Sequence, residues 1–524
     1  MPDISPLLWI LGLPLIAAAG LCLVPRESPR VLRGVSIAVT AVVVWIAIDM
    51  LAGYGSAPVG RGGYRYVQQI PWVESLGISL HLGVDGINLG LLVMGAIVAF
   101  AAACVSREVT HRVKEYYVLL MLMTGGILGT FASLDIFFLY FFHELALVPT
   151  FIMIAVWGRG PERQSAAFQI TLYLTLGALV ALVGLIALYL QSGARTFDLV
   201  TLTEHLAANP MPAARQQVIF PWLMFGLGIL VSLWPFHTWA PVGYGAAPTA
   251  TAMLHAGVLK KFGLYALLKV AVPLMPEGAK AWLPVLAWLC LGNILYCGWV
   301  AMRQKDLNLL IGNSSVAHVG FVFLGVASLT WVGVTGAVVV MVAHGFLAAL
   351  SFALSGWLYG QTRSLDMPSM GGLVKPMPFV GLVMIMAMMA GCGLPGFGNF
   401  VGEMMVLFGG WKSDLAICGG AVSFRWLVAA AAWGALIVAA LYMLRAIRAM
   451  FHGPPAEAWS GSRDPQGAWQ RLPYAVLLAS LLVLGVAPRV LTDHVAPSAK
   501  AIVDAVEQSR PAPQLAAAPA EDKR

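Results

Sequence analysis

The sequence predicts an all-α polytopic membrane protein of about 14 transmembrane helices, and three observations carry that expectation. Of its 524 residues 60% are apolar and only 10% are charged, whereas a soluble domain carries roughly a quarter charged residues. Its mean hydropathy is +0.83. Apolar runs of roughly 20 residues recur along nearly the whole chain, each long enough to cross a hydrocarbon core about 30 Å thick.

Those runs and the charged breaks between them place spanning segments one to fourteen at about 6–25, 33–52, 86–105, 116–134, 135–157, 166–191, 218–234, 246–272, 282–301, 306–329, 332–360, 377–409, 426–450 and 472–488. The first run is followed by Arg26, Arg30 and Arg33 without a small-residue cleavage site, so it reads as a retained helix rather than a signal peptide. Within residues 60–84, Tyr64-Arg65-Tyr66-Val67 precedes the alternating Ile78-Ser79-Leu80-His81-Leu82, which fits a short surface hairpin. The polar stretch 193–217 carries two prolines and is expected to be an external loop. Segment fourteen organises residues 451–504, and the Ala- and Pro-rich tail 505–524 is expected to be disordered.

Basic residues collect in alternate loops: Arg26/Arg30/Arg33, Arg107/Arg112/Lys114, Arg159/Arg163, Arg303/Lys305, Arg363/Lys375 and Arg445/Arg448/Arg463/Arg471. Those loops are therefore expected in the cytoplasm, with both termini outside. A net charge of +7 spread in this way suits membrane topology and not nucleic acid. The cysteines, Cys22, Cys104, Cys290, Cys297, Cys392 and Cys418, include no CxxC, so no metal or iron–sulfur site is indicated. Nor is there a dinucleotide fingerprint or a P-loop, which assigns redox and nucleotide chemistry to other chains.

Two segments contain helix breakers. Segment seven ends in Ser232-Leu233-Trp234-Pro235-Phe236-His237, with Pro241 and Pro248 beyond; segment twelve contains Gly391-Cys392-Gly393-Leu394-Pro395-Gly396-Phe397. Proline removes a backbone donor and clashes with the carbonyl one turn earlier, and in lipid the freed groups must face protein or water. The breaks at Pro235 and Pro395 lie about five helices apart, an odd number, so equivalent elements enter the membrane from opposite sides. That predicts two inverted five-helix repeats, segments four to eight (116–272) and nine to thirteen (282–450), following the N-terminal unit 1–115. Simple kinking is the alternative reading.

Ionisable residues inside these spans suggest the chemistry. Glu144 lies mid-helix one turn before Pro149; Lys260 and Lys261 follow His255; His318 follows Asn313-Ser314-Ser315; His344 sits in an apolar run; Glu403 lies about two turns past Pro395. A charge at the bilayer centre is costly, a buried lysine can exchange a proton near neutral pH, and histidine relays one through its two ring nitrogens. Glu144, Lys261, His318, His344 and Glu403 are thus the expected proton relay. Lys260, His143, His237, His255 and Ser232 are auxiliary candidates. Adjacent helical residues point about 100° apart, so Lys260 and Lys261 are not expected to serve one cavity. Asp85 and Asp135 stand at helix starts, where capping explains a carboxylate as well as transport does.

These residues resemble the antiporter-like M subunits of respiratory complex I (mitochondrial chain 4). The resemblance rests on Gly83-Val84-Asp85-Gly86-Ile87, Phe142-His143-Glu144 through Pro149, Pro235-Phe236-His237-Thr238-Trp239, Ala247-Pro248-Thr249, Ser314-Ser315-Val316-Ala317-His318, Ala343-His344-Gly345 and Gly393-Leu394-Pro395-Gly396-Phe397-Gly398-Asn399 through Glu403. It implies a proton-translocating subunit in a bacterial inner membrane, beside L- and N-like and small membrane subunits. NADH, FMN, iron–sulfur clusters and quinone would then belong to other chains of the complex, with no cofactor in this one. By matching position Glu144, Lys261, His318, His344 and Glu403 would be the family's relay. One departure stands out: the family's segment-seven lysine, partner of Glu144, is replaced by Leu230, and no Lys or Arg occurs between Arg215 and Lys260. His143 or Lys260 is the expected substitute, and Ser232 could hold water. A sodium/proton antiporter subunit and a structural subunit that no longer conducts remain as alternatives.

Overall fold

In the computed structural model, which describes residues 5–417, 422–454, 457–459 and 461–508, helices account for nearly all regular structure. The first third contains α1 (Pro6–Leu21), α2 (Pro29–Gly53), the antiparallel hairpin β1 (Arg65–Val73) and β2 (Ile78–Val84), α3 (Gly86–Val105), α4 (Val113–Ala132), α5 (Ile136–Trp157) and α6 (Arg163–Ser192). The expected hairpin is present. Asp85 and Asp135 cap α3 and α5 by accepting backbone N–H bonds.

Segment seven is discontinuous, as α8 (Ala213–Val231) and α9 (Trp239–Ala246). Segment eight follows as α10 (Thr249–Leu254), α11 (Lys261–Ala266) and α12 (Val272–Leu274), joined by π-turns at His255–Leu259 and Leu267–Ala271. A further π-turn, Gly292–Tyr296, divides segment nine into α13 (Pro276–Leu291) and α14 (Cys297–Arg303). Then come α15 (Leu307–Ala327) and the 32-residue α16 (Trp331–Thr362), whose most apolar stretch is wholly enclosed by other helices. Segment twelve is discontinuous as α17 (Pro378–Gly391) and α18 (Gly398–Trp411). Segment thirteen is α19 (Phe424–Trp433) and α20 (Ala440–Phe451) about the π-turn Gly434–Ala439, and segment fourteen is α21 (Gly467–Val486). Among the described residues 11 helices are long and apolar enough to cross a membrane, with Pro6–Leu21 and Pro378–Gly391 shorter.

Two expectations need correction. The stretch 193–217 is not merely a loop, since α7 (Leu199–Ala208) forms within it. Asp198 accepts from Thr201 N at 2.7 Å and caps the helix; Leu199, Leu202 and Leu206 bury one face at helical spacing. Past segment fourteen, α22 (Arg489–Gln508) runs into the expected disordered tail, burying Leu491, Val495, Ala499, Ile502 and Val506. Its period-3.6 pattern sits among polar residues, so mean hydropathy hides it. Residues 509–524 of that tail lie outside the described residues.

The connections sort onto two faces. On one, Arg33 donates to Val109 O, Arg159 N to Ala246 O, Leu307 N to Leu365 O and Arg445 to Gln304 O, so the basic loops meet one another. On the other, the hairpin receives Ser5, α7 and α22: Ser5 donates to Tyr66 O at 2.6 Å, His81 pairs with Asp198, and Gly86 N donates to Ser498. Chain direction follows. From the hairpin face α8 and α9 run to Ala246 at the basic face, whereas α17 starts at the basic face against Asp464 and α18 ends beside Ser328 on the hairpin face. The two broken helices are antiparallel, as an inverted repeat requires.

Side chains bond to the backbone at both breaks, His318 Nε2 to Gly391 O at the second. At the first, Asn293 in the π-turn of segment nine accepts from Trp234 N at 2.8 Å and donates to Ser232 O at 2.9 Å and Val316 O at 3.2 Å. At the second, Gly393 and Gly396 adopt φ of 68° and 101°, where a side chain is disfavoured. Replacing Asn293 by Leu leaves a buried N–H and C=O at the break without partners, at about 1–3 kcal/mol each. A lowered thermal midpoint of the detergent-solubilised protein is expected; an unchanged midpoint would show that Asn293 does not hold the break.

Candidate membrane proton site

The breaks and π-turns gather titratable side chains into the core. The π-turn His255–Leu259 shifts the register of segment eight just before its lysines, a device often found where function needs a side chain re-aimed. Gly257 and Gly345 allow segment eight and α16 to touch, because a Cβ on Gly257 would lie 2.9 Å from Gly345 O. His344, one residue before that contact, therefore lies near the lysines.

A polar row results. Lys260 Nζ lies 3.5 Å from Ser315 Oγ, and Ser315 Oγ lies 3.0 Å from His344 Nε2. The His344 ring stacks on His318 with centroids 5.3 Å apart, and His318 Nε2 lies 3.7 Å from Glu403 Oε1. Lys260, Ser315, His344, His318 and Glu403 are all buried. His318 has acceptors on both sides, Ser314 O at 2.7 Å from Nδ1 and Gly391 O at 3.2 Å from Nε2, so either ring nitrogen can hold a proton with a partner. Next to His318 and Glu403, Tyr442 and Ala439 help enclose a cavity with about 10 Å³ open to the centre of a water-sized sphere. That is room for about one water, enough to bridge the 3.7 Å step. Gly393 is also needed here, because a Cβ would lie 2.9 Å from Glu403 Oε2.

The other expected residues occupy different places. Lys261 is fully buried and donates to Ala256 O at 2.6 Å within the π-turn; its charge acts on both His344 and His318, while the hydrogen bond to Ser315 comes from Lys260. Glu144 stands at the rim, with 35% of its side chain exposed beside the outward-facing Phe141, Val148 and Ile152. Its neighbour His143 is buried, 3.4 Å from Glu144 Oε1 and stacked on Phe262 at 3.9 Å. Among the described residues no hydrogen bond links this pair to either lysine. His255 packs against Trp239 and Tyr244, and His237 lies edge-on to Tyr296 beside the first break. Leu230 is buried in the last turn of α8, and Ser232 Oγ bonds to Val231 O.

Four residues of these networks escaped the sequence reading. Ser315, Tyr442 and Asn293 are neutral polar residues whose roles depend on helices distant in sequence. Lys269 forms a buried ion pair with Asp85, Nζ to Oδ2 2.6 Å, both side chains 9% exposed. At the hairpin face, burial and then the Asp85 carboxylate push the Tyr54 phenol up to about 12. Removing only Lys269 strands a buried carboxylate, so Lys269→Met is expected to cost about 3–5 kcal/mol. Asp85→Asn with Lys269→Gln should recover most of it, as read from thermal midpoints in detergent. Equal midpoints for Lys269→Met and the unaltered protein would contradict a buried charged pair.

Comparisons with known proteins converge. The sequence profile described as NADH:quinone oxidoreductase/Mrp antiporter, transmembrane, matches residues 133–429. NADH-quinone oxidoreductase subunit M of Rhodobacter capsulatus is 32% identical over 94% of this chain and 95% of its own. The Gloeobacter violaceus NAD(P)H-quinone oxidoreductase chain 4 is 32% identical, covering 93% and 91%. A chain of Thermus thermophilus respiratory complex I superposes with a TM-score of 0.84 at 27% identity, covering 96% of this chain and 99% of that one. A chain of the Mrp complex from Dietzia shares the fold, with a TM-score of 0.81 at 20% identity over 97% and 100%.

Proposed function

The chain belongs to the NADH:quinone oxidoreductase/Mrp antiporter family, among the antiporter-like M subunits of complex I, and from that premise we propose that it carries protons across the membrane along its buried row. Electron transfer from NADH to quinone would take place in other subunits of the complex and drive this transport. The basic loops would face the cytoplasm of a bacterial inner membrane, with both ends of the described chain outside.

The observation that carries the reading is the single hydroxyl of Ser315 between Lys260 and His344, on a row that ends at Glu403. Two like charges about 6 Å apart repel by about 3 kcal/mol at an effective dielectric of 20, a factor of about 100 in occupancy. A proton gained at one end of the row therefore favours release from its neighbour, and charge moves in steps. Ser315 can accept from Lys260 and donate to His344 Nε2, and His318, with a partner at each ring nitrogen, can hold a proton on either side.

At the rim Glu144 meets both Tyr140 and His143, and of the two His143, which can carry a positive charge, would take the place of the lysine that Leu230 replaces. Lys260, engaged with Ser315, serves the row.

In membrane vesicles containing the assembled complex, Lys260→Met and Glu403→Gln should each lower the number of protons moved per NADH oxidised, to the same level. Both acting on one path predicts that the double variant falls no further. A full proton yield in both single variants, at normal assembly, would overturn the proposal.

A further inference from the structure

One cluster of buried titratable groups lies outside that row. Lys269 stands eight residues after Lys261 in segment eight, about 12 Å nearer the hairpin face at helical rise. Its ammonium meets Asp85 Oδ2 at 2.6 Å. Tyr265 lies midway, one turn from each lysine, with its hydroxyl 3.5 Å from Asn88 Nδ2. Asn88 Oδ1 in turn accepts from Asp85 N at 2.7 Å. Beyond the pair, the Tyr64 ring covers Lys269 Nζ at 4.9 Å, and the half-buried Tyr54 packs edge-on against His494 of α22 at 5.1 Å. Polar side chains thus line the way from Tyr265 to the hairpin face, and Tyr265 stands one helical turn from Lys261.

Pinning α3 to segment eight is the simple explanation, but the division of labour within Asp85 goes further. Oδ1 alone takes the capping N–H bonds of Ile87 and Asn88, which a neutral amide would also satisfy. Oδ2 is left for Lys269, and burying both charges is costly where a neutral pair would pack as well.

We propose that Lys269 and Asp85 form the proton exit of this subunit, fed from the lysines of segment eight through Tyr265 and opening to the hairpin face by Tyr54 and His494. The proposal rests on the proton-transport reading above. A proton arriving at the Asp85 carboxylate neutralises it and releases Lys269; the freed ammonium repels that proton outward. When Asp85 has lost it, the ion pair closes again and opposes return.

The test uses the assembled complex in membrane vesicles and reads protons moved per NADH oxidised. Asp85→Asn with Lys269→Gln leaves no stranded charge and keeps an oxygen for the cap. Tyr265→Phe removes only a hydroxyl. Both are expected to lower the ratio to the level of Lys260→Met. A normal ratio in both, where Lys260→Met lowers it, would overturn the exit alone. A normal ratio in Lys260→Met as well would overturn the transport reading and the exit with it. Should the double variant fail to assemble, Tyr265→Phe decides between the same outcomes.

Discussion

Hydrocarbon cannot hydrogen-bond, so every backbone group freed by a broken membrane helix must find a partner in the protein or in enclosed water. That constraint shapes the centre of this chain. Asn293 closes the first break and reaches across to Val316 O on α15, the helix that carries Ser314, Ser315 and His318. His318 meets the Gly391 carbonyl at the second break while facing Glu403. The groups that repair the backbone and the groups that can carry protons therefore belong to one network. A break is expensive to bury, and here its repair also fixes the geometry of the row.

The same economy explains how charge is distributed. Along the row, bases and an acid are separated by hydroxyl and imidazole groups, so no two need be charged together. The Lys269–Asp85 pair follows the opposite rule, with full charges in contact and the cost of burial offset by close geometry. Glycines set the spacing of both. Gly257 against Gly345 brings segment eight onto α16, and Gly86 lies so close to His494 O that any side chain there would displace α22.

Much of the fold was legible because lipid imposes simple sequence rules. Apolar runs marked the spans, alternating polarity marked the hairpin, and Pro235 and Pro395 marked the breaks. The amphipathic helices α7 and α22 were obscured by low mean hydropathy, although their buried residues recur at helical spacing. Of the site, the titratable residue types could be read, but their directions could not. The two lysines point apart, as helix geometry expects, but which of them bonds to Ser315 was not legible, and nothing in the local sequence announces the π-turn before Lys260. Ser315 matters through contacts with segment eight and α16, and Tyr442 through its contact with α15. Lys269, near the end of its span, looks like any lysine reaching for an interface.

The account depends most on continuity between Lys260 and His344, and among the described residues Ser315 is the one side chain that bonds to both. The direct measurement is the proton-to-electron ratio of vesicles carrying Ser315→Ala, a change that removes one buried oxygen and no charge. With the complex fully assembled, the account predicts a ratio below that of the unaltered protein; an unaltered ratio would contradict it.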